Sequence, residues 1–264
     1  MRRGRQIPIP FIATARIVNS VPASLLILGA SSGMARATAR RYAEAGYRLY
    51  LAGRDLAELD RDAADLRLRG ASAVTCHYFD ALDLSAHAAF LDELDDLPGI
   101  ALSAVGAMPD QTACDADADL ADKILRSNFN GPAHMLSLIG AAMAARGSGV
   151  IVGISSVAGD RGRASNYSYG AGKAGFTAYL SGLRGRLLKS GVHVLTVKPG
   201  FVRTRMTAQM ELPSALTAEP AEVAQSIFQA VSKRRNVIYV KPVWRWIMLI
   251  IRLVPERTFK KMSI

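Results

Sequence analysis

Along the chain, apolar runs of strand length alternate with amphipathic runs of helix length. "SLLILGA" (24–30) is apolar after Ser24 and predicts a strand buried on both faces. "MARATARRYAEAG" (34–46) follows with helical spacing and a terminal glycine. "YRLYLAGR" (47–54) predicts a second strand, and "DLAELDRDAADLRLRG" (55–70) a helix opened by Asp55 and closed by Gly70. The alternation continues through a strand at 72–80, a helix at 85–94, a strand at 100–106, a long helical region around 117–145 and a strand at 149–156. A helix over 167–189, a strand at 192–200, a helix at 220–233 and a short strand at 236–240 complete it. Strands apolar on both faces and joined by helices predict a parallel sheet covered on both sides. Right-handed crossovers make this a doubly wound, Rossmann-like α/β fold of about seven strands.

Composition narrows the picture. Half of the 264 residues are apolar, enough for one full core, and no internal repeat or low-complexity linker divides the chain. The expected organisation is a basic arm over 1–22, the α/β domain over 23–241 and a basic amphipathic extension over 242–264. "MRRGRQIPIPFIATARIVNS" is read as an arm and not a secretory signal, because Pro8, Pro10 and Arg16 break its apolar stretch. Cys76 and Cys114 have no metal or redox spacing and predict free thiols in a reducing cytosol; no metal site is expected. The net charge of +11 would suit a nucleic-acid binder, but four arginines in 1–16 and nine basic residues in 233–264 supply it, leaving the body near neutral. Basic ends on a neutral body argue against a DNA groove and for contact with an anionic surface.

Candidate chemistry appears at two places. "GASSGMA" follows the first strand and opens the first helix. Gly29 and Gly33 allow a tight turn and a close backbone approach, Ser31, Ser32 and Met34 complete the turn, and the helix N-terminus offers amides to a pyrophosphate. The second strand ends in Gly53 and Arg54, where an acidic residue would repel the extra phosphate of NADP and a fixed cation attracts it. NADP(H) is therefore favoured over NAD(H). Asp80, at the end of the third strand, is placed to accept from an adenine amino group or to cap a helix, as is Asp83 for the second role.

The second place is "NYSYGAGKAG" (166–175). Tyr169 lies four residues before Lys173 and shares its helix face, whereas Tyr167 lies six before it and points elsewhere. An ammonium beside a phenol favours the phenolate, which predicts a Tyr169 titration moved from near 10 toward neutral. Ser156, at the carboxyl end of the fifth strand, stands at the sheet edge where ligands of open α/β folds bind.

These motifs, in this order over residues 24–240, resemble the short-chain dehydrogenase/reductase family. The resemblance implies catalytic roles for Asn128 of "SNFNG", Ser156, Tyr169 and Lys173. It implies cofactor contacts at Gly29, Gly33, Gly106, Tyr169 and Lys173, and at Pro199, Gly200, Val202 and Thr204 of "KPGFVRT". The implied reaction is ketone reduction: hydride from the nicotinamide, a proton from Tyr169, orientation by Ser156, ribose contacts by Lys173, and a proton-return water on Asn128. Two departures stand out. Ala35 replaces the third glycine of the turn, and "SAVG" (103–106) lacks the asparagines the family carries after the fourth strand.

The extension "VWRWIMLIIRLVPERTFKKMSI" sets tryptophans and aliphatics beside Arg245, Arg252, Arg257, Lys260 and Lys261. Its unbroken apolar core is far shorter than the roughly 20 residues that span a bilayer. It predicts peripheral contact with an anionic membrane through 243–264, on the cytoplasmic side, or packing against the body or a sister subunit. "FDALD", "SSVAGDRGRASNYSYGAGKAG", "PGFVRTRM" and "VPERTFKKMSI" are similar to stretches of family members that reduce a keto-pentofuranose linked to a polyprenyl phosphate. That likeness implies a flavin-dependent oxidase as partner. A reductase of a small ketone or 3-oxoacyl thioester, assembled as a dimer or tetramer, and a non-catalytic NADP(H)-binding interaction protein are the alternatives.

Overall fold

The computed structural model describes residues 23–262; the arm expected over 1–22 lies outside the described residues. In chain order the elements begin with β1 (Ser24–Leu28), α1 (Gly33–Ala43), β2 (Arg48–Gly53), α2 (Leu56–Leu68), β3 (Ala73–Tyr78), α3 (His87–Asp92) and β4 (Ile100–Ser103). Next come α4 (Gln111–Ala116), α5 (Ala118–Leu125), α6 (Gly131–Arg146), β5 (Gly149–Ile154), α7 (Tyr167–Leu187) and β6 (Val192–Pro199). The chain closes with β7 (Phe201–Val202), β8 (Thr217–Ala218), α8 (Pro220–Ser232), β9 (Val237–Val240), α9 (Val243–Leu253) and α10 (Glu256–Phe259).

Seven strands form one sheet in the order β3-β2-β1-β4-β5-β6-β9, parallel throughout. The order reverses between β1 and β4, which opens a crevice at the carboxyl ends of those strands. β1 and β6 are buried at every position, β1 through a leucine-rich run and β6 even at His193, Thr196 and Lys198, whose polar atoms find partners in Arg235, Arg184 and Asp160. One core cluster packs α1, α2 and α8 on one face through Ala39, Leu59 and Ile227; the other packs α3, α6 and α7 on the opposite face through Phe90, Leu136 and Phe176.

Local chemistry sets the helix ends. The Asp55 carboxylate accepts from the Glu58 amide at 2.9 Å and starts α2. Glu219 and Glu222 form a reciprocal capping box with Pro220 at the first position of α8. Gly147, at φ 79°, ends α6 in the left-handed region.

Two features depart from the sequence reading. The long helical region is several pieces: α4, α5, a π-turn over Arg126–Asn130, then α6. In addition, β7 and β8 pair as a small parallel ribbon beyond the end of β6.

Candidate active site

At the β1–α1 turn Gly29 adopts φ +77°, and a Cβ there would stand 3.1 Å from the Val105 amide nitrogen. Only glycine fits both the conformation and the approach. The Ser32 hydroxyl accepts from the Ala35 amide at 3.2 Å and caps α1, while Ala35 is fully buried where the family has glycine. A cleft of about 670 Å³ opens over this turn, lined by Gly29, Ser31, Ser32, Arg54, Asp80 and Gly106. Arg54 is exposed at its rim and makes no ion pair among the described residues. One Asp80 carboxylate oxygen accepts from the Leu82 amide at 2.9 Å, so Asp80 caps its own turn while still facing the cleft. Asp83 does only the capping, accepting from Ser85 and Ala86.

Deeper in, the four residues with predicted catalytic roles converge from three segments: the π-turn, the loop after β5 and α7. The π-turn swings Asn128 inward and buries it completely. Its amide donates to the carbonyls of Ala107 at 2.8 Å and Ile124 at 2.9 Å, leaving its Oδ1 buried with no partner among the described residues. A Cβ on Gly106 would lie 2.6 Å from that Oδ1 and 3.0 Å from the Lys173 Nζ, so glycine is obligatory where both groups meet. Lys173, on α7, is buried and donates to the carbonyls of Ile154 at 3.1 Å and Val105 at 3.3 Å. Ser156 lies two residues past β5, where its hydroxyl accepts from the Ala158 amide at 3.1 Å. Ser155 braces α7 by donating to the Lys173 carbonyl at 3.0 Å.

Tyr169 shares a pocket with Ser156 on one side and with Lys173 on the other, and its ring centroid lies 5.8 Å from the Lys173 Nζ. Tyr167 faces away: it is exposed and donates to the Asp115 carboxylate. The expected lowering of the Tyr169 titration is not what the folded chain produces. Burial pushes the phenol up, and the hydrogen bond with Ser156 only partly offsets it. Burial also lowers the Lys173 ammonium to about 8. Lys173 is buried and Tyr169 half-buried, and for both desolvation is the leading influence on the titration.

The motif after β6 covers the chemical end. Pro199 closes β6, and the buried Val202 sits in β7. The Thr204 methyl would touch a Cβ placed on Gly33 at 3.5 Å, which brings the loop over the start of α1. Gly200 has a further role that the motif does not announce. A Cβ there would overlap the Trp244 indole at 2.0 Å, so Gly200 is where α9 rests on the body. The Trp244 indole N–H donates to the Leu216 carbonyl at 3.0 Å, and its ring meets Phe201 edge-on at 5.3 Å. Arg205, unmarked in the sequence reading, donates across the cleft to the Ser31 carbonyl at 3.0 Å and lines the same cavity.

These residues fit a dinucleotide. The glycine positions leave room for its backbone-hugging parts, the α1 N-terminus faces the cleft, and an orphaned oxygen on Asn128 stands beside the lysine. Gly29, Ser31, Ser32, Gly33 and Met34 would hold the phosphates, Arg54 and Asp80 the adenosine end, and Gly106, Lys173 and Thr204 the nicotinamide end.

Residues 23–214 match the family described as short chain dehydrogenase. An uncharacterized oxidoreductase of Mycobacterium tuberculosis is 37% identical over 243 residues, covering 91% of this chain and 97% of that protein. The solved structure of a short-chain dehydrogenase from Sphingobium yanoikuyae in complex with NADPH superposes with a TM-score of 0.77 at 28% identity, covering 87% of this chain and 92% of that one. A bulky-bulky ketone specific alcohol dehydrogenase from Comamonas testosteroni superposes with a TM-score of 0.75 at 25% identity, covering 90% and 96%.

Proposed function

The chain belongs to the short-chain dehydrogenases and is an NAD(P)-dependent oxidoreductase, and from that premise we propose that it is an NADPH-dependent ketoreductase of a keto-pentofuranose carried on a polyprenyl phosphate, met at a membrane surface. When bound, the cofactor supplies hydride to the carbonyl carbon. The Ser156 hydroxyl donates a hydrogen bond to the carbonyl oxygen and orients it. Tyr169, which burial keeps protonated at neutral pH, gives its proton to that same oxygen. Lys173, fixed by the Ile154 and Val105 carbonyls, presents its ammonium to ribose hydroxyls. The free Oδ1 of Asn128 accepts from a water that returns a proton toward Lys173. Exposed Arg54 favours the 2′-phosphate.

The observation carrying the substrate reading is the placement of α9. Trp244 and Met248 pack on the body beside the Pro199–Gly200 turn, while Trp246, Ile250 and Leu253 stand 60%, 65% and 73% exposed among basic residues. No helix among the described residues is long and apolar enough to cross a membrane. An amphipathic helix with tryptophan and aliphatics outward and arginines beside them suits the interface of an anionic bilayer. We read "FDALD", "SSVAGDRGRASNYSYGAGKAG", "PGFVRTRM" and "VPERTFKKMSI" as resembling the reductase subunit of decaprenylphosphoryl-ribose 2′-epimerase, and on that reading the substrate is the sugar-lipid and a flavin-dependent oxidase supplies the ketone. If the same face instead joins copies of this chain, the substrate is a small ketone or 3-oxoacyl thioester.

Sedimentation with phosphatidylglycerol vesicles and NADPH-dependent turnover of keto-pentofuranosyl polyprenyl phosphate test the reading together. The wild type is expected to pellet and to reduce the lipid. A variant carrying Trp246→Glu and Ile250→Glu should stay in the supernatant. A wild type that ignores vesicles and turns over only water-soluble ketones overturns the membrane substrate.

A further inference from the structure

Beside the catalytic hydroxyls a second pocket extends toward α9, with Ser156 and Tyr169 on one wall and Arg163, Asn166, Phe201 and Met210 on the others. Apolar side chains make up most of this wall; Arg163 and Asn166 do not match it. The Arg163 Nε and the Asn166 Oδ1 are each buried with no hydrogen-bond partner among the described residues. The Arg163 guanidinium reaches the Met248 sulfur at 3.6 Å, a weak acceptor.

The surroundings supply no carboxylate for it. Asp160, three residues earlier, gives one oxygen to Lys198 and the other to the Tyr239 hydroxyl at 2.8 Å. Glu256 is taken by Arg161 at 2.8 Å. The contrast with Arg161 is informative: that side chain is saturated by the Ile251 and Val254 carbonyls as well as by Glu256, and it ties the tail to the body. Arg163 is half-buried, with its Nε shut off from water and without such compensation, and burial lowers its affinity for the proton, with Asp160 offsetting only part. A buried cation lacking an anionic partner is destabilising and is retained where a ligand completes it. Asn166 immediately precedes α7 and stands three residues before Tyr169, so a group it holds lies close to the reacting carbonyl.

Resting on the ketoreductase reading of this site, we propose that Arg163 and Asn166 select the substrate: the Arg163 guanidinium takes an oxyanion, phosphate or carboxylate, borne by the ketone, and Asn166 accepts from a neighbouring hydroxyl. Arg163 thereby positions the carbonyl against Ser156 and Tyr169 and takes no part in the proton transfer. The apolar walls receive the rest of the molecule.

Two matched pairs of probes read this selection: dihydroxyacetone phosphate against dihydroxyacetone, and levulinate against methyl levulinate. In the wild type the charged member of at least one pair should have a kcat/KM about 10-fold or more higher, expressed in KM, since a charge-assisted hydrogen bond is worth that much. The pair showing the larger ratio identifies the oxyanion. Arg163→Met should erase the ratio, Arg163→Lys should keep part of it, and NADPH affinity by fluorescence titration should be the same in all three. A wild type that favours the neutral members, or an Arg163→Met variant that loses both members equally while still binding NADPH, overturns the proposal. Calorimetric titration of phenyl phosphate into the NADP⁺-loaded wild type gives a readout independent of turnover and of whether the methionine variant folds. Saturable binding that competes with ketone supports the oxyanion site, and no heat of binding overturns it. Should neither a probe ketone nor keto-pentofuranosyl polyprenyl phosphate be reduced while phenyl phosphate binds, the ketoreductase reading fails and the oxyanion site stands.

Discussion

At the nucleotide end of the cleft, the glycine turn, the hydroxyls of Ser31 and Ser32 and solvated charged side chains, Arg54, Lys123 and Arg205 with Asp80, face the cavity. At the chemical end the groups are side chains withdrawn from water, with Asn128 fully buried and Lys173 only 4% exposed. The first end would meet a phosphate-rich ligand with backbone geometry and solvated charges, so its contributions are spread out and individually modest. The second concentrates a phenol, an ammonium, an amide and a hydroxyl where dielectric screening is weak, so each group depends strongly on its neighbours. Substitutions at the chemical end should therefore act steeply on the reaction or the fold, and those at the nucleotide end should act on affinity.

The largest effect is expected for Tyr169→Phe. Removing the hydroxyl removes the proton donor, which is worth about 10²–10⁴ in kcat, while NADPH affinity should hold. Tyr167→Phe loses only its bond to the exposed Asp115 and should change kcat by about twofold or less. Single-turnover NADPH oxidation in the two variants checks this. Equal losses in both would dissolve the distinction between the two tyrosines.

Next comes a pH effect at Lys173. Burial lowers this ammonium from 10.5 to about 8 in the folded chain. Between those values the unfolded chain binds more protons, so this group makes stability rise with pH across that window. Below the window the charged lysine carries its full burial penalty, and above it the penalty is gone. The shift corresponds to about 3 kcal/mol as an upper figure. Urea unfolding of the wild type and Lys173→Met near pH 7.5 and near pH 10 should show the wild type gaining on the variant as pH rises. Parallel stabilities would mean that the ammonium is solvated, and the contrast between the two ends would weaken.

The doubly wound sheet was legible because strands buried on both faces leave largely apolar runs, and Gly29 stands where a left-handed backbone conformation demands glycine. Gly106 and the positions of Ser156, Tyr169 and Lys173 were legible from motif order. What escaped depends on contacts between distant segments. The π-turn at Arg126–Asn130 has the local composition of an ordinary helix. The β7–β8 ribbon is two residues long on each side, too short for any periodicity. Arg205 reaches Ser31 from 174 positions away, and Gly200 is occupied by an indole 44 positions on. The tail was ambiguous for a physical reason: Trp244 and Met248 form one helix face and Trp246 and Ile250 another, so one apolar run serves both an inner and an outer surface. The Tyr169 titration went the other way from the pairing that its spacing to Lys173 suggests because desolvation is the leading influence on both groups.

The smallest effect is expected at the open end. Arg54 follows the last residue of β2, exposed, lining the cleft and without an ion pair among the described residues, so its charge is available to a ligand. A ribose 2′-phosphate offers it a dianion, and one charge-assisted hydrogen bond in a solvated place is worth about 1.5 kcal/mol, a factor of about 10. Arg54→Gln should therefore raise the KM for NADPH about 10-fold and leave the KM for NADH within about twofold, with kcat for either cofactor unchanged because the nicotinamide end is untouched. Raising the ionic strength should shrink the wild-type preference for NADPH in the same sense, since a solvated pair is screened where a buried one is not. If Arg54→Gln lowers kcat with both cofactors, the arginine acts on the chemical end as well, and the division of labour between the two ends fails. If it changes neither KM, recognition of the 2′-phosphate passes to another cation lining this cleft, Arg205, already held by the Ser31 carbonyl at 3.0 Å, or Lys123.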